Sequence, residues 1–312
     1  MSKSSALNYS QIQNLLKSKE FESLGGSFKY DVNLQKLNWL QTGGKAAALF
    51  APKNINELQY FIKNFRYSKN ILLNGLGANT IFAADNLNIV LVKIGKFANY
   101  ITNNKTSLEI GAGTMSASIA NYAADHAISG YEFLTTIPGT LGGNIKTNAG
   151  CYGSDVSNVI QSVTYLNKDG EIETKDNDGQ MFSYRYSNFP SDAIFLSAKC
   201  AVKHGASSEI KATMDAMMAK RAETQPNSKK TAGSTFKNTT TMSAWQVIDK
   251  INMRGFQVGG LMFSPKHCNF LINFNNGNGE DANKIISKAQ LEAKEKLGID
   301  LETEAVLVKN IK

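Results

Sequence analysis

The stretch Thr136–Asn148 reads TIPGTLGGNIKTN and runs on into AGCYG at 149–153. Its glycines are Gly139, Gly142, Gly143, Gly150 and Gly153. Glycine permits positive φ and close approach to the backbone, so this density predicts a loop rather than the interior of a helix or strand. Such a loop can turn N–H groups inward and hold phosphate, although a tight surface turn is the ordinary alternative.

A second glycine-rich stretch, GLGAN at 75–79, follows the apolar run Ile71–Leu73. Two such loops in one chain predict a long, phosphate-bearing ligand such as a dinucleotide. The pattern is not a Rossmann fingerprint, because Thr80 stands where the third glycine is required and no long helix follows directly. The strands and helices also lack the regular alternation of a doubly wound sheet.

Length and composition predict a globular chain of about two domains, since 42% of the 312 residues are hydrophobic and 19% are charged. The net charge of +8 favours anionic small molecules such as nucleotides. No arginine-rich arm or RNA-binding motif predicts a nucleic-acid partner. Three dispersed cysteines without a CxxC pair predict no disulfide framework, no metal site and a reduced, cytoplasmic setting. The sequence shows no signal-peptide core and no apolar run of about 18 residues, so we expect no membrane insertion.

Local patterns predict a mixed set of elements. Helices are predicted at about 55–65, 116–126, 207–223, 244–253 and 280–297. Strands are predicted at 37–41, 46–50, 71–74, 89–92, 107–111, 163–167, 171–174, 193–202, 269–273 and 301–308. Asn54 and Glu57 resemble a capping box, and Gly255 and Gly298 are expected to stop helices. Residues 168–170 are expected to form a hairpin turn, and residues 225–228 a boundary.

Three polar residues stand in motifs that suit chemistry. Ser234 lies in GSTFKN at 233–238, Arg185 in YRYS at 184–187 and Glu304 in LETEAV at 301–306. A loop serine, a surface ion pair and a solvated edge charge are the ordinary explanations. Strand alternation predicts that Glu302 and Glu304 share one face. An arginine suits forked recognition of carboxylate or phosphate.

Eight motifs occur together in order: TGGKA at 42–46, GLGAN at 75–79, TIPGTLGGN at 136–144, NAGCYG at 148–153, YRYS at 184–187, GSTFKN at 233–238, HCNF at 267–270 and LETEAV at 301–306. In this order they resemble the UDP-N-acetylenolpyruvoylglucosamine reductase family from about residue 36 to the C-terminus. The resemblance implies an α+β fold, with a two-subdomain FAD-binding region of the vanillyl-alcohol-oxidase (PCMH) type and a C-terminal α+β substrate-binding domain. The implied division is a lead-in at 1–19, FAD-binding subdomains at 20–86 and 87–204, and a substrate-binding domain at 205–312. The composition boundary near Gln225 falls about 20 residues later than the last of these splits.

The family implies reduction of UDP-N-acetylglucosamine enolpyruvate to UDP-N-acetylmuramate, with FAD and NADPH as cofactors. Hydride passes from NADPH to flavin N5 and then to the vinyl carbon of the substrate. Small molecules are the expected partners, and the protein is expected to be a monomer. Ser234 matches the proton donor to C2, and Arg185 and Glu304 match the pair that faces the substrate carboxylate. Glu304 is expected either to donate as the neutral acid or to orient Arg185 and water, with its pKa raised by desolvation and like charge.

The resemblance also places the binding residues. The cofactor-binding residues implied are Asn74, Gly75, Gly77, Ala78, Asn79, Thr80, Ile137, Pro138, Gly139, Thr140, Gly142, Gly143, Asn148 and Gly150. The substrate-binding residues implied are Tyr184, Lys237, Asn238 and Asn269, with Lys229 and Lys230 as further candidates for the diphosphate.

The chain departs from the family pattern at a few positions. Ala78 replaces a common serine, Thr239 a common proline, and Ala305–Val306 a common Val-Arg pair. The 190–230 region is too short for the tyrosine-bearing loop of one subtype, which places the chain in the loop-lacking subtype. An FAD-dependent oxidase of the same fold and a non-catalytic flavin-binding module are the alternatives.

Overall fold

The computed structural model describes residues 6–226 and 230–310. The first unit contains α1 (Tyr9–Leu16), α2 (Lys19–Glu22), β1 (Ser27–Asn33), β2 (Lys45–Ala51), α3 (Ile55–Phe65), β3 (Ile71–Leu73), β4 (Thr80–Phe82) and β5 (Asn86–Val92). Its four-stranded sheet has the order β1-β2-β5-β3. Only the β1–β2 pair is antiparallel, whereas β5 runs parallel to both β2 and β3. The apolar stripe of α3 packs into the core, as its spacing predicts.

The strand predicted at 37–41 is wrong. Residues 34–37 form a 3-10 helix, and the partner of β2 is β1 instead. The buried Asn38 explains the difference. Its amide donates to the carbonyls of Leu34 and Thr42 and accepts from the Thr42 N–H, which folds the segment into a compact loop.

The second unit contains β6 (Ile101–Asn103), β7 (Ser107–Gly111), α4 (Ser116–Asp125), α5 (Leu141–Thr147), β8 (Gly150–Cys151), β9 (Ser154–Asp155), β10 (Ile160–Leu166), β11 (Ile172–Asp176), β12 (Phe182–Ser183), β13 (Tyr186–Ser187) and β14 (Ile194–Ala201). Its antiparallel sheet has the order β11-β10-β14-β7-β6. The predicted turn between β10 and β11 is confirmed, with Gly170 at φ +74°.

The glycine-rich stretch is not the pure loop that its composition predicts, because α5 includes Gly142 and Gly143. A Cβ at Gly142 would lie 3.2 Å from both the Cβ and the carbonyl oxygen of Ala112. The Gly142 N–H donates to that same carbonyl over 2.8 Å. Close packing of the helix on the end of β7 therefore outweighs the low helix propensity of glycine.

The C-terminal part contains α6 (Ser207–Thr224), β15 (Thr231–Ser234), α7 (Ala244–Lys250), β16 (Gln257–Val258), β17 (Leu261–Phe263), β18 (Phe270–Asn273), α8 (Gly279–Leu297) and β19 (Val306–Val308). Its sheet has the order β15-β18-β17-β16 and is antiparallel. Gly298 ends α8 at φ +67°, as predicted. Helix α7 ends at Lys250, short of the predicted Met253, so Gly255 is not its stop. The predicted boundary at 225–228 lies partly outside the described residues.

Helix α6 packs on the second unit. Its buried residues Ile210 and Met214 belong to the same core as α4 and the second sheet. The hydroxyl of Ser207 donates to the carbonyl of Ala124 at the end of α4.

The last strand is shorter than predicted and lies in another sheet. Residues 301–305 are irregular, and β19 pairs in parallel with β4 of the first unit, with Val306 opposite Thr80. The predicted shared face of Glu302 and Glu304 is therefore wrong. The Glu302 side chain is 72% exposed, whereas that of Glu304 is 18% exposed and points to Arg185. The pairing of β19 with β4 brings the C-terminal segment next to the GLGAN loop.

Candidate active site

Glu304 lies where three parts of the chain meet. Its N–H donates to the carbonyl of Thr235 over 2.9 Å, and its carbonyl accepts from Asn79 Nδ2 over 3.2 Å. Its carboxylate accepts from Arg185 Nε over 2.8 Å. Each contact comes from a different predicted motif, so the fold assembles these motifs around one carboxyl group.

Arg185 lies in the two-residue turn between β12 and β13. Its φ of +52° lies in the left-handed region, which tight hairpin turns commonly use. Its Nη2 donates to the carbonyl of Gly150 over 2.9 Å. The hairpin is fixed to α5, because Asn148 Nδ2 donates to the Ser183 carbonyl and Ser187 Oγ to the Lys146 carbonyl.

The Arg185–Glu304 pair is largely shielded from water, with side chains 20% and 18% exposed. Burial raises the pKa of Glu304 above its ordinary value, while Arg185 and Lys237 act in the opposite direction. Burial therefore favours the neutral acid of Glu304, whereas the two cations favour its carboxylate.

Ser234 ends β15, where it pairs with Phe270. Within residues 6–226 and 230–310, its hydroxyl makes no hydrogen bond, and its side chain is partly exposed. Gly233, directly before it, has φ +74°. The next residue, Thr235, holds the N–H of Glu304. The Ser234 hydroxyl is thus available to a ligand, and it lies one residue before Thr235, whose carbonyl accepts from the Glu304 N–H.

The four predicted substrate-binding residues divide into two groups. The ring of Tyr184 lies 5.2 Å from the Arg185 guanidinium, and its hydroxyl accepts from the Asn238 N–H. Lys237 Nζ contacts Glu302 Oε1 over 2.5 Å. Asn269 is 3% exposed, and its amide pairs with both backbone groups of Phe236. Asn269 therefore supports the Ser234 loop from a buried position, while the other three residues lie nearer the surface.

The two glycine-rich segments meet at Gly75 and Thr140. A Cβ at Gly75 would lie 2.8 Å from Thr140 Oγ1, and both Gly75 and Gly143 are exposed. Gly139 has φ +131°, a conformation that only glycine adopts readily. These features leave exposed backbone on both loops at Gly75 and Gly143, and backbone N–H groups of this kind can bind phosphate.

Other predicted cofactor residues are used within the protein. The buried amide of Asn74 donates to the Leu37 carbonyl, and a Cβ at Gly77 would lie 2.1 Å from that same carbonyl oxygen. Ala78 is buried, Thr80 begins β4, and Ile137 and Pro138 precede α5 as half-buried residues. The amides of Asn79 and Asn148 are also engaged. These residues shape the loops, whereas Gly75 and Gly143 present exposed backbone on either side of the buried Thr140.

Sequence reasoning missed two supports of the site, the carbonyls of Thr235 and Gly150. Both act through the main chain, so no residue type marks them. It also missed the pairing of Lys237 with Glu302. The opposite charges of these two residues were the one available signal.

Other features of the described chain bear on function. The cysteines Cys151, Cys200 and Cys268 form no disulfide. Among residues 6–226 and 230–310, no three His, Cys, Asp or Glu side chains gather as a metal site. In the same ranges, no helix combines the length and apolar character that crossing a membrane requires.

Comparison with known proteins agrees with this geometry. Residues 225–308 match the family described as UDP-N-acetylenolpyruvoylglucosamine reductase, C-terminal domain, and residues 46–175 match the FAD binding domain. The chain is 36% identical to the UDP-N-acetylenolpyruvoylglucosamine reductase of Anaplasma marginale over 89% of this chain and 93% of the relative. The relative from Pelagibacter ubique is 33% identical over 92% and 96%.

A solved structure also matches the fold. The crystal structure of UDP-N-acetylenolpyruvylglucosamine reductase from Thermus caldophilus superposes with a TM-score of 0.77 at 25% identity. The match covers 92% of this chain and all of the other. The predicted α+β fold with an FAD-binding region of the vanillyl-alcohol-oxidase type is confirmed.

Proposed function

The chain belongs to the UDP-N-acetylenolpyruvoylglucosamine reductase family, and we therefore propose that it reduces UDP-N-acetylglucosamine enolpyruvate to UDP-N-acetylmuramate for peptidoglycan synthesis. The chain is an FAD-dependent oxidoreductase, and its family uses NADPH as the reductant. The Arg185–Glu304 pair, tied through the Glu304 N–H to Thr235 directly after Ser234, supports the proposal most directly. We also propose that the enzyme is monomeric and cytoplasmic.

The proposed division follows the three sheets. We propose a lead-in at 1–19, FAD-binding subdomains at 20–86 and from residue 87 onward, and a C-terminal substrate-binding domain, for which the family resemblance implies a start at 205 and the composition a start near Gln225. The packing of α6 on the second unit supports placing the last split after this helix, near Gln225. The C-terminal family match also begins at residue 225.

FAD, when bound between the glycine-rich segments, supplies the hydride chemistry that joins NADPH to the enolpyruvyl substrate. The protein then has two tasks at the substrate. It stabilises negative charge that grows on the enolpyruvyl carboxylate, and it delivers a proton to C2. Arg185 serves the first task as a fixed cation, held by Glu304 and the Gly150 carbonyl before the substrate arrives. Such preorganised charge is among the strongest contributions to catalysis.

Ser234 serves the second task in this proposal. A serine hydroxyl is a weak acid in water, so it suits only a strongly basic carbon at short range. Its hydroxyl makes no competing bond within the described chain, which supports this role. Glu304 orients Arg185 as a carboxylate or donates as a neutral acid, and its raised pKa is compatible with both.

The diphosphate of the substrate needs cations nearby. We propose Lys237 as one of them, because it lies three residues from Ser234 and is 25% exposed. Its partner Glu302 is mostly exposed, and such exposed pairs contribute little stability. A diphosphate can therefore displace Glu302 at small cost. Tyr184 and the exposed Asn238 are proposed to border the same space, with Asn269 supporting it from beneath. Of the two further lysines, Lys229 lies outside the described residues.

Product analysis in D2O tests the function. We expect one UDP-N-acetylmuramate for each NADPH oxidised, with solvent deuterium at C2 of the lactyl ether, because the C2 proton comes from an exchangeable hydroxyl. Mass spectrometry and proton NMR of the product measure both quantities. NADPH oxidation that consumes oxygen at a rate independent of the UDP sugar would instead indicate the oxidase alternative.

A further inference from the structure

Asn79 contacts the C-terminal segment on both sides of Ala305. Its Nδ2 donates to the Glu304 carbonyl over 3.2 Å, and its own carbonyl accepts from the Val306 N–H over 2.9 Å. The next residue, Thr80, pairs with Val306 in the parallel β4–β19 register. Asn79 is thus the last residue of the GLGAN loop and the first contact of that loop with the Glu304 segment.

The peptide groups of Glu304 are held from opposite sides. Thr235 accepts from the Glu304 N–H with its main-chain carbonyl, and this contact does not depend on the Thr235 side chain. Asn79 binds the Glu304 carbonyl with a side-chain amide. A substitution at position 79 can therefore remove the bond to the Glu304 carbonyl, while the bond between the Glu304 N–H and the Thr235 carbonyl stays in place.

We propose that Asn79 is a positioning residue that sets the place of Glu304 and so couples the GLGAN loop to the Arg185–Glu304 pair. This inference rests on the proposed function. Because the Asn79 amide nitrogen is engaged with Glu304, the residue acts through Glu304 rather than by touching the substrate. These two bonds to the Glu304 backbone matter because a displacement of about 1 Å in a catalytic group can lower the rate about a hundredfold.

The charged groups that face the Glu304 carboxyl are Arg185, from the β12–β13 hairpin, and Lys237, from the segment after β15. Both lower the pKa of Glu304, against the effect of burial. A carboxylate at position 79 would add a negative charge next to the Glu304 peptide. It would also replace a donor by an acceptor that faces the Glu304 carbonyl.

The test uses Asn79→Ala and Asn79→Asp in the FAD-loaded protein. We expect both variants to keep the flavin spectrum and the rate of reduction by NADPH. Reoxidation by UDP-N-acetylglucosamine enolpyruvate should slow about ten- to a hundredfold. The pKa of Glu304 should rise in Asn79→Asp, as followed by 13C NMR of protein labelled at the glutamate carboxyl and assigned with Glu304→Gln.

The matched control is Asn310→Ala. Asn310 also joins the C-terminal segment to the first unit through its side chain, with bonds to the Asn86 carbonyl and the Asn88 N–H, but it lies six residues from Glu304. We expect Asn310→Ala to leave both half-reactions and the Glu304 pKa unchanged. If Asn310→Ala slows reoxidation as much as Asn79→Ala does, the inference is overturned, because any contact that holds the C-terminal segment against the first unit would then have the same effect. Loss of FAD or equal slowing of both half-reactions in Asn79→Ala would overturn it in favour of a cofactor contact.

The carboxyl titration keeps this inference separate from the proposed function, because it needs no substrate. If wild-type protein does not reoxidise with the UDP sugar, the proposed function fails. A Glu304 pKa raised by Asn79→Asp still supports the positioning contact in that case. An unchanged pKa rejects it.

Discussion

Ser234→Ala is expected to slow reoxidation of the reduced flavin by UDP-N-acetylglucosamine enolpyruvate by about 10²- to 10⁴-fold, the usual contribution of a positioned general acid. Reduction by NADPH should keep its wild-type rate, because no proton transfer to C2 belongs to that step. Stopped-flow absorbance at the flavin band measures the two half-reactions separately. Near-normal reoxidation in this variant would remove Ser234 from the proposed proton transfer.

The variant is suitable because it disturbs little else. The Ser234 hydroxyl has no partner among the described residues, so its loss should change the free energy of unfolding by no more than about 0.5 kcal/mol. Ser129→Ala is the matched control, since the Ser129 hydroxyl donates to the Lys203 carbonyl, in a part of the structure away from the site. We expect this control to keep both rates.

Arg185→Ala is expected to slow the same reoxidation step by about 10²- to 10³-fold, the cost of removing one group that stabilises developing charge. The substitution should also shift the Glu304-dependent limb of the pH profile of the reoxidation rate to higher pH. Arg185 lowers the pKa of Glu304, while burial raises it. Removal of the cation therefore leaves burial less opposed, and the pKa rises further. Reoxidation rates measured across pH test both effects.

The direction of the activity change shows which form of Glu304 acts. If the neutral acid donates to the substrate, activity falls as pH rises through the Glu304 pKa, and the falling limb moves to higher pH in Arg185→Ala. If the carboxylate is needed, activity falls as pH drops through the pKa, and that limb also moves upward. A limb that stays in place would contradict the assignment of this titration to Glu304.

Arg66→Ala provides a control for the backbone of Arg185. Arg66 ends α3 at φ +54°, and Arg185 has φ +52°, so both substitutions place alanine in a left-handed conformation. Any destabilisation from that conformation is therefore shared. The Arg66 guanidinium donates to the Lys63 carbonyl at the end of α3, and both half-reactions should keep their rates in this control.

The local parts of the fold follow from sequence where short-range signals agree. Asn54 caps α3 by accepting from the Glu57 N–H, and the carboxylate of Glu57 accepts from Lys53 rather than from Asn54 as a full capping box requires. The Gly298 stop of α8 and the Gly170 turn also agree with the structure. In each case the signal and the structure lie within a few residues of each other.

Two of the errors occur where distant contacts decide the backbone. Gly142 enters a helix because Ala112 lies against it. Residues 301–305 stay irregular because Thr235 binds the N–H groups of Glu304 and Ala305 on one side, while Asn79 binds the segment on the other. The 37–41 error is local, because the Asn38 amide bonds to backbone groups four residues away, which strand periodicity does not take into account.

The candidate site shows the same division. Ser234, Arg185 and Glu304 are identified by their motifs through resemblance to the family. The supports that bring them together are mostly main-chain carbonyls, which every residue carries. Asn269 illustrates the reverse case, because its motif suggests substrate contact but its buried amide bonds to both backbone groups of Phe236.

An anaerobic spectral titration tests the central claim, reduction of the UDP sugar at this site, most directly. The visible spectrum of the purified, FAD-loaded protein is recorded, NADPH is added until the flavin band is lost, and UDP-N-acetylglucosamine enolpyruvate is then added. We predict that one equivalent of the UDP sugar restores the oxidised flavin spectrum. A flavin that NADPH bleaches and the UDP sugar leaves bleached would contradict the claim, and so would a protein that takes up no FAD.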